Sequence, residues 1–156
     1  MKYIALENVR SLYNVGSVMR SMSFFGLKNL LLIGYSGRKK PGLNKLHEKV
    51  VKTSLGAEKD VKVIFLDNSD ELVEYALKNK CKLVVAEQEK KSININNWLP
   101  SDKMIVVFGN EVNGVSKMIL DKADEVVEIK RLGKKGSLNV ATAAGIVIDR
   151  LGGSVA

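Results

Sequence analysis

The sequence predicts an α/β domain with a mostly parallel sheet covered by helices on both faces. Three observations lead there. Six short, continuous apolar runs rich in Val, Ile and Leu recur along the chain, the pattern of strands buried on both faces. Stretches with apolar residues three and four apart lie between several of those runs, as helical crossovers between parallel strands require. A chain of 156 residues, 46% hydrophobic, supports one core and not two comfortable ones, so residues 1–156 are expected to form a single domain with nothing appended.

The elements follow in order. Tyr3 to Leu6 reads as the first strand. Val15, Val18, Met19, Met22 and Phe25 then form one helical stripe, with Asn14 as its N-cap and Gly26 as its C-terminal cap. Gly16 falls in that helix's first turn and Arg20 one turn later on the same side, and a glycine there lets a ligand or another chain approach the backbone. Leu30 to Ile33 is the second strand, and Tyr35 to Lys45 is the one stretch that reads as a mobile loop. Val61 to Leu66, Leu83 to Ala86, Met104 to Phe108 and Val126 to Ile129 supply the other strands. Residues 70–79 form a helix that turns Leu72, Val73, Ala76 and Leu77 inward, and Ser116 caps a shorter one through Leu120. The last element, Ser137 to Leu151, is apolar nearly all round until Asp149 and Arg150. Such a helix must be buried on more than one side, and the expected cover is a second copy of the chain, in a symmetric homodimer.

Composition narrows the function. No apolar run reaches about 18 residues and the N-terminus reads as a strand, so neither a membrane span nor an export signal is expected and the location is expected to be cytoplasmic. The single Cys81 precedes an apolar run and reads as a buried, reduced thiol; no disulfide and no metal site is expected. A net charge of +8 attracts polyanions. The cations gather at Arg38, Lys39, Lys40 and Lys45, and again at Lys130, Arg131, Lys134 and Lys135. The second group stands just ahead of the helix start expected at Ser137, where the macrodipole is already positive and stability alone favours acidic residues. That placement points to an anionic partner.

Three constellations carry the chemistry. Asn8, Arg10 and Asn14 crowd beside Arg20 as a polar cluster suited to phosphate and ribose contacts. Gly109 to Gly114 follows the strand that ends at Phe108; with no Gly-Lys-Ser/Thr ending and with Glu111 between its glycines, it is neither a Walker loop nor a dinucleotide fingerprint. Gly133 to Asn139 sets Ser137 and Asn139 at the mouth of the last helix, whose free N–H groups bind polar ligand atoms.

Taken together, Asn14-x5-Arg20, Phe108-Gly-Asn-Glu-x-x-Gly114 and Gly136-Ser-Leu-Asn-Val-Ala141 resemble the three ordered motifs of the SpoU/TrmH-like tRNA/rRNA 2'-O-ribose methyltransferases of the SPOUT superfamily. The resemblance spans Asn8 to Leu151. It implies transfer of a methyl group from S-adenosyl-L-methionine to a ribose 2'-hydroxyl of tRNA or rRNA, leaving S-adenosyl-L-homocysteine. It also implies a C-terminal deep trefoil knot, an exception to the usual absence of knots. The donor pocket is implied near Gly109, Ile129 and Leu138, largely through backbone, with Phe108 and Asn139 beside them. Arg20 matches the family's essential arginine and Asn14 its companion, while Glu111, Ser137 and Asn139 match the polar residues of the second and third motifs; these five form the expected catalytic set. RNA is expected along Asn8, Arg10, Arg38, Lys39, Lys40, Lys45, Lys134 and Lys135, with no appended RNA-binding domain to help. Many relatives have proline and methionine where this chain has Lys130 and Arg131, and a serine where it has Ala141. An alternative of another class is a non-catalytic RNA-binding or ribosome-assembly module that retains the fold, against which the intact polar set speaks. A nucleotide-binding α/β protein of some other kind is disfavoured by the missing phosphate loop.

Overall fold

In the computed structural model, which describes residues 1–152, seven strands form one sheet in which every pairing is parallel. The strands are β1 (Lys2–Glu7), β2 (Asn29–Ile33), β3 (Lys62–Leu66), β4 (Lys82–Ala86), β5 (Ile93–Asn94), β6 (Met104–Phe108) and β7 (Glu125–Glu128), in the spatial order β3-β2-β1-β6-β4-β7-β5. The six expected runs are all strands, and the sheet is wholly rather than mostly parallel. Residues Ile4 to Leu6 and Met104 to Val107 are at most 0% exposed, as the two central strands of a doubly covered sheet should be.

Helices cover both faces. On one face α1 (Leu12–Phe24), α2 (Glu48–Ser54) and α5 (Val140–Gly152) pack over Ile4, Leu6, Leu30, Leu32, Val106 and Phe108. On the other, α3 (Ser69–Lys78) and α4 (Lys117–Lys122) bring Leu72, Ala76 and Ile119 against Ala5, Leu31, Ile33, Ile105 and Val107. The alternation of partners along β1 and β6 is the period of two that puts successive side chains on opposite faces. Glu7, buried at the end of β1, ties down the second layer. Its carboxylate accepts from the hydroxyls of Ser69 and Ser116 and from the Ser116 N–H, so the start of α3 and the start of α4 share one anchor.

Several local expectations change. The N-cap of α1 is Ser11, whose hydroxyl accepts from the Asn14 N–H, and Asn14 therefore lies inside the helix with its side chain free for tertiary contacts. Gly26 does end the helix, in the left-handed region at φ +74°. Gly16 is buried against α2: a Cβ there would stand 2.6 Å from Thr53 Cβ, so the segment that approaches this glycine belongs to the same chain. The helix α2 itself was not expected, and neither was the two-residue β5. Leu77 points outward, 74% exposed, leaving Leu72 and Ala76 as the buried residues of α3.

The segment after β2 is held rather than loose. The Lys39 N–H donates to the Lys45 carbonyl, Arg38 bridges to Leu46, and the His47 N–H donates to the Gly37 carbonyl. Finally, α5 begins at Val140 with Asn139 as the residue that caps it, so Ser137 lies in the preceding loop. Of the single domain expected over residues 1–156, residues 153–156 lie outside the described residues.

Candidate active site at the carboxyl ends of the strands

The chain ends of β4, β6 and β7 open onto a cavity of about 710 Å³. Its apolar wall is Ala86, Phe108, Val127, Ile129, Leu138 and Val140, and its polar lining includes Glu87, Glu111, Lys130, Arg131, Ser137 and Asn139. A cavity outside the carboxyl ends of parallel strands is where an open α/β sheet binds ligands.

The loop Gly109 to Gly114 forms one side because its glycines let the chain fold back on itself. A Cβ on Gly109 would lie 2.1 Å from the Gly114 carbonyl carbon, and Gly114 is left-handed at φ +69°. The two ends then meet through Asn110, whose N–H donates to the Gly114 carbonyl and whose carbonyl accepts from the Gly114 N–H. The Asn110 side chain organises the interior: Oδ1 accepts from the N–H groups of Val112 and Asn113, while Nδ2 donates to the Asn8 carbonyl and to the Tyr35 hydroxyl.

That closed loop projects Glu111 at the start of α1. Its Oε2 accepts from the Arg10 N–H at 2.9 Å and its Oε1 from the Ser11 N–H at 3.1 Å and Asn14 Nδ2 at 3.4 Å. Burial pushes the Glu111 carboxyl up, but the two backbone N–H donors and the Asn14 amide outweigh it and hold the group below the usual carboxylate range. Asn14 continues the network. Its Oδ1 accepts from Asn139 Nδ2 at 3.2 Å, and Asn139 Oδ1 in turn accepts from the N–H groups of Ala141 and Thr142 at the start of α5. Asn14, Glu111 and Asn139, drawn from three separate segments of sequence, are thus joined at one place.

The other expected residues divide. Phe108, Gly109, Ile129, Leu138, Ser137 and Lys135 line the cavity, and Lys134 stands in the same exposed segment. Arg20 does not line it. That side chain is exposed in a separate hollow on α1 with Ser17, Ser21, Phe24 and Phe25, two turns beyond Asn14. Asn8 adopts φ +50° and uses its Oδ1 to accept from the Tyr35 N–H, so it works as a strut between β1 and the segment after β2. Arg10 gives its N–H to Glu111 and keeps its side chain exposed.

Arg38 corrects the expectation of an RNA contact. Its side chain is 2% exposed, donates to Asn44 Oδ1, the Leu66 carbonyl and Asp67 Oδ1, and lies over the Phe65 ring. This guanidinium locks the segment after β2 onto β3 and is not offered to a ligand. Lys39 pairs with Glu48, whereas Lys40 and Lys45 are exposed.

The sequence reading does not name Glu87, Tyr35 or Asn110 as site residues, although Asn110 stands within the motif from Phe108 to Gly114 and Tyr35 opens the segment after β2. Glu87 lines the cavity and accepts from the Val115 N–H at 3.3 Å. Its position directly after the apolar run Leu83 to Ala86 was the available signal, since strand carboxyl ends carry ligand contacts.

The sequence pattern of the SpoU rRNA methylase family matches residues 1–149 of this chain. The chain belongs to that family. Relatives include an uncharacterized tRNA/rRNA methyltransferase of Archaeoglobus fulgidus, 29% identical over 94% of this chain and 62% of the relative. Another is the tRNA (guanosine(18)-2'-O)-methyltransferase of Aquifex aeolicus, 30% identical over 91% of this chain and 64% of that enzyme. The chain therefore spans less than two thirds of the length of either relative. An AdoMet-bound rRNA methyltransferase from Sinorhizobium meliloti has the same fold, with a TM-score of 0.88 at 20% identity over 99% of this chain and 57% of its own. The cavity, its glycine loop and the Asn14–Glu111–Asn139 network bring together residues of all three sequence motifs, with Arg20 of the first motif standing apart.

Proposed function

We propose that this SpoU family chain is an S-adenosyl-L-methionine-dependent RNA methyltransferase that acts on a ribose 2'-hydroxyl of tRNA or rRNA. The observation that carries the reading is the joining of Asn14, Glu111 and Asn139 at the rim of a cavity lined by Gly109, Ile129 and Leu138. The sulfonium-methyl donor bound by the Sinorhizobium protein and the 2'-O position named for the Aquifex enzyme support it.

The lining suits such a donor. The aliphatic residues Ala86, Ile129, Leu138 and Val140 make a slot for a flat heterocycle beside the backbone of the Gly109 loop, and Glu87 and Glu111 supply negative charge fitted to a cationic ligand. Phe108, Gly109, Ile129, Leu138 and Asn139 would hold it. When bound, the donor supplies a methyl group already activated by its positive sulfur, so the protein's task is alignment of a ribose hydroxyl, worth about 7 to 11 kcal/mol.

Glu111 is not the proton acceptor in this reading. Its oxygens are occupied by three donors, and its depressed pKa makes it a weak base. Glu111 positions the turn that precedes α1, and Asn14 and Asn139 present fixed amide groups to the ligands. Ser137, exposed in the loop before α5, is free to hydrogen-bond the incoming ribose or donor. Arg20, through its guanidinium N–H donors, orients phosphate and stabilises developing negative charge.

Arg20 lies apart from its own cavity, and a homodimer accounts for that. Phe24 is 84% exposed and Ile146 40% exposed on the packed pair α1 and α5. A second copy laid across those helices covers both side chains and carries one copy's Arg20 toward the other's cavity. A trefoil knot of the C-terminal segment belongs to the same proposal, supported by the family and by the way residues 130–139 wrap the cavity before α5 enters the core.

Incubation with isotopically labelled S-adenosyl-L-methionine and RNA from cells lacking the protein tests the reading. Label recovered at a 2'-O-methyl nucleotide supports it. Donor binding without transfer to any RNA would favour the non-catalytic module.

A further inference from the structure

Tyr35 opens the segment that follows β2, and both of its polar ends are pinned. Its N–H donates to Asn8 Oδ1 at 3.4 Å, and its hydroxyl accepts from Asn110 Nδ2 at 3.0 Å. The residue between those anchors is 48% exposed, and its ring meets no other aromatic ring among the described residues. A large side chain with a fixed tilt and an open face is therefore presented to solvent.

Its surroundings say what that face is for. On one side, Asn110 lies between Gly109 and Glu111, and all three line the cavity. On the other, the same segment runs on to Lys40 and Lys45, exposed and without an acidic partner among the described residues. The buried Arg38 clamps this segment to Asp67 and the Leu66 carbonyl, which keeps the lysines and the ring in register. An exposed aromatic residue tied to a cavity loop through Asn110, on a segment that also carries a pair of exposed cations, is the combination that single-stranded nucleic acid requires: bases stack on the ring and phosphates follow the charge. An apolar protein surface would have no use for the two cations.

Resting on the RNA-modifying function proposed above, we infer that Tyr35 is a base-stacking shelf, on which the RNA lays an unpaired base while an adjacent ribose enters the cavity and the backbone tracks toward Lys40 and Lys45. The shelf reads the presence of an unstacked base and not its identity, since every base has a π face.

The test compares two fluorescein-labelled ligands with equal phosphate count. One is a single-stranded oligoadenylate of about 12 nucleotides, within the range of single-strand site sizes, and the other an abasic ribose-phosphate oligomer of the same length. Fluorescence anisotropy should show the intact protein preferring the oligoadenylate. Tyr35→Ala should weaken that ligand about 5- to 100-fold and leave the abasic oligomer unchanged. Tyr35→Phe, which keeps the ring and loses the anchor to Asn110, should retain most of the preference. Donor binding by calorimetry should be unchanged in both variants, which shows that the cavity has folded. If Tyr35→Ala keeps the full preference, or if Tyr35→Phe loses as much as Tyr35→Ala, the shelf is wrong while the RNA function stands. If the unaltered protein binds neither oligomer, the RNA function fails and the shelf fails with it.

Discussion

Asn139 donates its side-chain amide to Asn14 Oδ1 at 3.2 Å, tying the start of α5 to the first turn of α1 across 125 positions of sequence. The same side chain accepts from the N–H groups of Ala141 and Thr142, so one residue caps a helix and fixes the relation of two motifs. Asn139→Ala should lower stability by about 1 to 2 kcal/mol through the lost cap. Asn139→Asp keeps the acceptor and loses the donor; it should melt near the unaltered protein yet lose at least about tenfold in turnover. Thermal melts paired with methyl-transfer rates separate the two effects, and equal loss of both properties in the aspartate variant would refute the dual role.

Gly109 is a second point of leverage. A methyl group there collides with the Gly114 backbone, which cannot give way as a flexible side-chain tip could. Gly109→Ala should therefore open the loop, release Glu111 from Arg10 and Ser11, and abolish donor binding in calorimetry. Gly26→Ala is the comparison: nothing lies within 4 Å of a Cβ there, so its cost is only the left-handed strain, on the order of 1 kcal/mol.

Acid should reveal Glu111. Its folded pKa is depressed by hydrogen bonds that favour the ionised form, so its contribution is fully present above the ordinary value of 4.5 and is lost as pH falls through the lower folded value. The melting temperature of Glu111→Gln should consequently approach that of the unaltered protein as the pH drops below about 4.5, and the gap between them should be widest near neutrality. A gap that stays constant with pH would mean that the carboxylate charge is not what the N–H donors hold.

Arg38 and its neighbours should behave in opposite ways. Arg38→Ala removes a buried guanidinium with three acceptors and should cost about 2 to 4 kcal/mol, visible in a denaturant melt. Lys40→Ala and Lys45→Ala should leave stability unaltered and each reduce the slope of log RNA affinity against log salt by about one. A flat salt response in the unaltered protein would count against any phosphate contact by these lysines.

The contrast between Arg38 and Lys40 shows where the sequence was legible. All six apolar strand runs were readable because strands buried on both faces have no polar positions to blur them, and Gly26 was readable as a terminator because the left-handed region selects glycine. Short elements without an apolar stripe were not: α2 buries only Val50 and Ser54, and β5 is two residues long. Ser11 and Asn14 are equally good caps locally, and Glu111, a hundred residues away, draws the Asn14 side chain into its tertiary network. Arg38 looked like its neighbours in a basic cluster because its partner Asp67 lies 29 positions downstream. The motif residues Asn14, Glu111 and Asn139 could be read individually. Their junction, and the separation of Arg20 from the cavity, are properties of the packing of α1 against α5 and the closed loop.

The most direct measurement of the central claim is titration of the protein with S-adenosyl-L-methionine in a calorimeter, repeated with Leu138→Lys, which places a positive charge in the cavity's apolar wall against a positively charged donor. Saturable one-to-one binding by the unaltered chain, reduced at least about tenfold in the variant, is the predicted result. Absence of heat and of saturation in the unaltered chain, or equal binding by both proteins, would contradict the assignment of this cavity to the methyl donor.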